Sequence, residues 1–222
     1  MAPILLLALG LSVAVALAIT AGLRRRARAR ADAFAQVLPL FDETRTRIEP
    51  TGFPRVTARQ ASHRFDLQLV PDALTFRKLP ALWLMVTLPE PLPVRGTLDI
   101  MMRPTGHEPF SRFSHLPVSV AAPPFLPEGS GVRSDSIAVP VPERLIAGNA
   151  HVFADPRVKE LVISPKGIRI VALVEEADRG RFLLFRDAEV GLTPVAPGRV
   201  LPLCDAILAL REDIVAAELL PA

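Results

Sequence analysis

Several residue types are scarce in this chain of 222 residues, and their scarcity excludes certain kinds of site and of fold. Cys204 is the only cysteine, which excludes an internal disulfide and a zinc site built from cysteines. Tyrosine is absent, and Trp83 and Asn149 are the only residues of their types. Of the 26 lysine and arginine residues only three are lysines, and there are 23 prolines. This usage is typical of proteins from GC-rich bacterial genomes, and the prolines favour a loop-rich or β-rich body.

Motifs for metal, nucleotide and serine-hydrolase chemistry are also missing. No H-E-x-x-H, Walker A or G-x-G-x-x-G pattern occurs. The stretch "GSGVRSDS" places Ser130 between two glycines but lacks the strand–elbow–helix context of a nucleophilic serine. We therefore predict no cofactor and no metal.

The basic character of the chain is confined to one short segment. The formal net charge is +3, but residues 1–30 hold five arginines and no acidic residue, so the rest is about −2. A nucleic-acid-binding protein would distribute basic residues over a body surface. The charge pattern therefore predicts no nucleic-acid partner.

A long apolar run at the amino end predicts a transmembrane anchor over residues 1–23. From Pro3 to Leu23 there are 21 residues without a charge, enough for a helix of roughly 30 Å, which matches a hydrocarbon core. The alternative is a cleaved secretory signal ending near Ala16-Leu17-Ala18, which would leave a periplasmic body. The basic segment that should precede such a signal is missing, so we favour the retained anchor.

An arginine cluster directly follows the apolar run. Positive charge next to a span stays in the cytoplasm, and it attracts anionic lipid headgroups. We therefore expect a single-pass protein of the bacterial inner membrane, with its amino terminus outside and its body cytoplasmic. The predicted membrane-surface residues are Arg24, Arg25, Arg26, Arg28 and Arg30.

The rest of the chain predicts an α+β fold with a mainly antiparallel β body and a carboxy-terminal amphipathic helix. Residues 24–52 are expected to form a basic juxtamembrane helix and linker, and residues 53–222 a soluble domain. Alternation of apolar and polar residues predicts strands at 65–69 and 74–76, and a nearly continuous apolar run predicts a strand at 81–88. Further strands are expected at 96–104, 116–121, 161–164, 168–174 and 181–188. After Pro197 and Gly198, an apolar stripe predicts the final helix: Leu203, Ile207, Leu210 and Ile214.

The body has one alternative division, into two β lobes at 53–122 and 151–222. Residues 66–76 and 160–170 share an order of acidic residue, short strand, proline-centred turn and short strand. A duplicated unit would explain this similarity. Two generic hairpins explain it as well, and we prefer that interpretation.

The candidate catalytic residues lie in loops. His107 and Glu108 adjoin each other in "RPTGHEPFSRFSH", His115 follows eight residues later, and Asp135 lies beyond. Imidazole and carboxyl groups are suited to acid–base catalysis if folding brings them together. Surface loop residues are the simpler interpretation. Lys159 and Glu160 similarly suggest a charged turn before a strand.

These observations leave three functional hypotheses. The favoured one is a membrane-anchored, non-catalytic interaction or scaffold module with a protein partner. The second is a membrane-tethered, hydrolase-like enzyme that uses the loop around His107 and Glu108. The third is a β domain that binds a lipid or another small ligand.

Overall fold

The computed structural model describes residues 2–73, 79–138, 141–185 and 189–218. Within these ranges the chain forms an amino-terminal helix, an antiparallel sheet and three further helices. The helices are α1 (Ala2–Ala31), α2 (Glu143–Gly148), α3 (Arg179–Phe185) and α4 (Leu201–Glu218). The strands are β1 (Glu43–Ile48), β2 (Pro54–Gln60), β3 (His63–Asp72), β4 (Ala81–Leu88), β5 (Leu98–Met102), β6 (Val118–Val120), β7 (Ser130–Ser134), β8 (Val158–Ser164) and β9 (Gly167–Glu176).

All nine strands belong to one sheet, in the order β1-β2-β3-β4-β9-β8-β5-β7-β6. Each neighbouring pair is antiparallel, and β4 pairs with β9 at the centre. The predicted strand at 74–76 lies outside the described residues. The α+β class, the antiparallel sheet and the carboxy-terminal helix are thus confirmed.

One face of the sheet carries the main hydrophobic core. Period-two alternation aligns Leu67, Val86 and Ile170 on adjacent strands of this face, where all three are fully buried. Helix α4 packs here with the stripe expected from the sequence, because its spacing places those side chains on one side of the helix. Burial of this apolar surface is the dominant stabilising contribution to the fold.

Helix α1 contains the predicted apolar run and the arginine cluster. Residues 9–28 are exposed, and just after the helix ends the backbone N–H of Val195 donates to the carbonyl of Ala33 at 2.8 Å. Among the described residues, no helix combines the length and apolarity needed to cross a membrane. The structure therefore confirms a helix here but does not support the transmembrane assignment.

Several segments differ from the expected secondary structure, among them β2 and β7, which lie outside the predicted strands. Residues 43–48, expected in a linker, form the edge strand β1, whose side chains are all exposed. Because neither face of β1 is buried, it shows no apolar alternation. Residues 181–185, expected in the strand at 181–188, belong to helix α3, and residues 186–188 lie outside the described residues.

Candidate functional site

The second face of the sheet is polar, and we call it the polar face. Alternation directs side chains here from the positions between the core residues. One row of directly opposed residues crosses six neighbouring strands, in the spatial order β3, β4, β9, β8, β5 and β7. Four of these strands contribute an ionisable side chain to the row. In spatial order it consists of Asp66, Thr87, Arg169, Val162, Asp99 and Arg133.

Residues 103–117, which we call the covering loop, lie over part of this face. Phe110 and Phe113 are buried there against Met101 and Val171. The Phe110 ring also packs against Trp83, with the ring centroids 5.1 Å apart. This small second core holds the loop on the sheet.

Next to this second core lies a cavity of about 350 Å³ between the covering loop and strands β5, β8 and β9. Its volume is at the lower end of the range for small-molecule sites. The cavity is lined by Thr97, Asp99, Arg112, Leu116, Glu160, Val162, Ser164, Pro165, Lys166 and Arg169.

Two buried carboxyl groups line the cavity. Asp99 lies opposite Val162 and Glu160 lies opposite Met101, so the two acids are diagonal neighbours on the polar face. Asp99 is 3% exposed and Glu160 is 0% exposed. Among the described residues, Oδ1 of Asp99 and Oε2 of Glu160 have no hydrogen-bond partner. A buried acceptor without a donor costs free energy, so these two oxygens are the atoms that a bound donor would satisfy.

Both carboxyl groups have raised pKa values. Burial is the main cause of the raised pKa of Asp99, about 8; the negative charge of Glu160 adds to it and Arg169 partly offsets it. Burial likewise raises the pKa of Glu160 to about 7, against the opposing hydrogen bond that the Ser111 hydroxyl donates to its Oε1. The pair therefore holds at least one proton at neutral pH.

Charged groups around the acids come from the loop and from the neighbouring strands. Nε of Arg169, on β9, is buried and has no hydrogen-bond partner within the described ranges. Nζ of Lys159, on β8, lies 3.3 Å from Oε1 of Glu108. Burial alone would raise the pKa of Glu108, but hydrogen bonds from Thr105 and the charge of Lys159 outweigh it and lower that pKa. Glu108 thus remains ionised beside the protonated pair.

This arrangement can bind a positively charged donor or exchange a proton. A cation placed between the acids would complete their hydrogen bonding and favour their ionised forms. Within the described part of the chain, no group of three or more histidine, cysteine, aspartate or glutamate side chains could hold a metal ion.

The four predicted catalytic residues occupy different settings. Glu108 is in the ion pair with Lys159, while His107 and His115 are exposed. Asp135 is exposed and accepts a hydrogen bond of 2.7 Å from the backbone N–H of Thr97. Their catalytic role stays a prediction.

Asp99, Glu160 and Arg169 are site residues that the sequence interpretation missed. Lys159 and Glu160 belong to β8 rather than to a charged turn. A signal was present, because Asp99 and Glu160 are single acids within the apolar strand sequences "LDIMM" and "VKELVIS". Acidic residues are rarely buried in strands unless they have a partner or a function.

The predicted membrane-surface residues lie on α1 close to the body. Arg24, Arg25, Arg26 and Arg28 are exposed. Arg26 forms an ion pair of 2.6 Å with Glu189, and the Arg30 guanidinium lies 5.7 Å from the centroid of the Phe53 ring. These contacts connect the arginine cluster to the body.

Comparison of the chain with protein-family models, with curated proteins and with solved structures finds no match in any of the three. Functional proposals for this protein therefore rest on its own residues.

Proposed function

We propose that this protein is an interaction module attached to the cytoplasmic face of the bacterial inner membrane, with α1 inserted in the bilayer. The observation that supports it is the apolar surface of α1. Leu7, Leu9, Leu11, Val13, Val15, Leu17, Ile19 and Leu23 are each 50–76% exposed. Exposed apolar area of this extent favours transfer into an apolar environment.

The distribution of these side chains argues for lipid. A helix turns by about 100° per residue, so the alternate positions from 7 to 19 are distributed around the whole helix axis. A partner protein that docked on one side would leave the other sides in water. Lipid surrounds a helix on all sides, and a helix that is apolar all round is typical of a buried or membrane-spanning segment.

The proposal rests on the uncharged sequence from Pro3 to Leu23, part of which lies outside the described side chains. The finding that no helix could span a membrane concerns the described residues.

The arginine cluster supports the proposed orientation. Five arginines in seven positions follow the run, and such charge near a span remains cytoplasmic. Each adds roughly 1 kcal/mol of attraction to anionic lipid. The ion pair between Arg26 and Glu189 would then hold the body close to the headgroups, where it could meet a protein partner.

Membrane fractionation of the full chain tests the attachment. We expect the wild type to remain in the membrane pellet after carbonate extraction. The Leu11→Arg, Val15→Arg variant should move to the supernatant, because an arginine at the centre of a span costs about 2.5–3.5 kcal/mol. The matched control is Leu183→Arg, Leu184→Arg, which changes two exposed leucines of α3 and should stay in the pellet. Wild-type protein that is freely soluble would refute the proposal.

Protease accessibility tests the orientation. The body should be digested in inside-out vesicles and protected in intact spheroplasts. The reverse pattern, with a mature chain beginning after Ala18, would instead establish the cleaved signal and a periplasmic body.

A further inference from the structure

We propose that the cavity beneath the covering loop is a binding site for a small zwitterion. Its ammonium group would lie between Asp99 and Glu160, and its anionic group would lie at the rim beside Arg112 and Lys166. This site is independent of the way in which α1 meets the membrane.

The inner end of the cavity supplies the acceptors for an ammonium group. Oδ1 of Asp99 and Oε2 of Glu160 are buried and have no donor among the described residues. Both residues line the same cavity. An ammonium group donates up to three hydrogen bonds, so one group can satisfy both oxygens. Hydrogen bonds that involve charged groups are the stronger ones.

The charge balance also favours a cation at the inner end. When ionised, Asp99 and Glu160 carry two negative charges, and Arg169 is the cation that partly offsets both. Arg133 lies opposite Asp99, but its guanidinium donates to the carbonyl of Leu116 and lies over the Phe113 ring. Lys159 also faces Glu160, but it lies 3.3 Å from Glu108, whose negative charge opposes it. One added positive charge would therefore bring the net charge of these side chains close to zero.

The rim of the cavity is positively charged, in contrast to the acids at the inner end. Arg112 of the covering loop and Lys166 of the β8–β9 turn line the cavity and are exposed. They would repel a simple cation and attract a carboxylate or phosphate group. The combination of buried acids with a basic rim therefore matches a molecule that has an ammonium at one end and an anion at the other. The volume of about 350 Å³ suits a ligand the size of an amino acid.

Proton release provides a signature of this mode of binding. Free Asp99 and Glu160 hold protons near neutral pH because burial raises their pKa values to about 8 and about 7. Ligand binding must displace these protons, so affinity should increase as pH rises from 6 to 8. The charged groups around the two acids are Arg169, Lys159 and Glu108, Arg133 opposite Asp99 on β7, and Arg112 and Lys166 at the rim.

Titration calorimetry of the full chain in detergent tests the proposal with matched probes. Among ω-amino acids from glycine to 6-aminohexanoate, at least one should bind. Its matched amine, which lacks the carboxylate, should bind at least several-fold more weakly, and its matched carboxylic acid, which lacks the amine, should not bind. Equal affinity of amine and zwitterion, or binding of neither the series nor O-phosphoethanolamine at millimolar concentration, would overturn the proposal.

Variants locate the binding site. Glu160→Gln and Asp99→Asn should each weaken binding by at least about tenfold, since each removes one charged hydrogen bond. Arg112→Gln should weaken binding of the zwitterion but not binding of the matched amine. The control is Glu212→Gln, an exposed acid on α4, which should change nothing. Unchanged affinity in both Glu160→Gln and Asp99→Asn, with native thermal unfolding, would contradict the assignment.

Two kinds of probe distinguish a lipid headgroup from a free metabolite as the ligand. O-phosphoethanolamine represents the headgroup of a membrane lipid, and the ω-amino acids represent free metabolites. Tighter binding of O-phosphoethanolamine would assign the site to lipid, and tighter binding of an amino acid would assign it to a soluble ligand. Heats measured in buffers of different ionisation enthalpy should show proton release on binding, and their independence of buffer would contradict the role of the two acids.

Discussion

Nζ of Lys159 lies 3.3 Å from Oε1 of Glu108, and the two side chains are only 12% and 6% exposed. The same ammonium donates to the carbonyls of Met102 and Arg103 at 2.8 and 2.7 Å. Lys159 therefore joins strand β8 both to the start of the covering loop and to its middle. The loop lines one side of the cavity with Arg112 and Leu116, so this lysine helps to hold that wall of the cavity in place.

Replacement of Lys159 by methionine should loosen the covering loop. The variant keeps an apolar stem but leaves Glu108 buried without its cation, which costs on the order of 1–3 kcal/mol. Trp83 packs against Phe110 of the loop, and it is the only tryptophan. Its fluorescence should therefore shift to longer wavelength and become easier to quench with acrylamide. Lys166→Met is the control, because Lys166 is exposed; identical spectra for Lys159→Met and wild type would contradict this role.

Stability should depend on pH through the buried acids. In the folded chain the pKa values of Asp99 and Glu160 are about 8 and about 7, whereas unfolded carboxyl groups have pKa values near 4. The protonated forms therefore stabilise the fold fully below about pH 4, and this contribution is lost as the pH rises through 7 and 8.

We accordingly expect the free energy of unfolding of the wild type to decrease between pH 5 and pH 8. In the Asp99→Asn, Glu160→Gln variant this decrease should be smaller, because the amides do not ionise. Urea denaturation at each pH measures the difference, with Glu212→Gln as the control. Equal pH slopes in the wild type and the double variant would show that the two acids do not have raised pKa values.

Gly167 should tolerate no side chain. Its φ is +135°, and an added Cβ would lie 2.0 Å from the carbonyl oxygen of Leu88 on β4. To relieve this clash, β9 would have to separate from β4 at the centre of the sheet. We expect Gly167→Ala to cost at least about 2–3 kcal/mol, measured by denaturation. Gly198→Ala is the matched control because nothing lies within 4 Å of its Cβ position; a near-native Gly167→Ala would refute the close approach.

Cys204 should be inert in the folded protein. It is 0% exposed on α4, and burial, with a contribution from Asp205, raises its pKa to about 12. The thiolate is the form of cysteine that attacks thiol reagents, so Ellman's reagent at pH 8 should react only after unfolding in guanidinium chloride. A rapid reaction of the native protein would place Cys204 in an accessible setting.

The sequence predicted those elements whose pattern reflects a single buried face. Leu203, Ile207 and Leu210 lie at helical spacing and all contact the core, so the stripe predicted α4 correctly. Strand β1 has no buried face, and helix α3 exposes Leu183 and Leu184. Neither element therefore has a periodic pattern that reports its structure.

The candidate site was less predictable because it depends on strand register. Asp99 and Glu160 are 61 positions apart in the chain and become neighbours only through the pairing of β5 with β8. Arg169 joins them through the pairing of β8 with β9. Nothing local specifies that register. The loop residues Glu108 and His107 were conspicuous in sequence, but the loop contributes Arg112 and Leu116 to the cavity lining.

The ligand site depends on two buried acids, at the inner end of the cavity, that together hold at least one proton at neutral pH. The most direct measurement is a ¹³C NMR titration of the side-chain carboxyl groups of Asp99 and Glu160, assigned with Asp99→Asn and Glu160→Gln. The account predicts that both signals titrate well above pH 6, at about 8 and about 7. It also predicts that a bound zwitterion lowers both midpoints. Titration of both groups near pH 4 would contradict it.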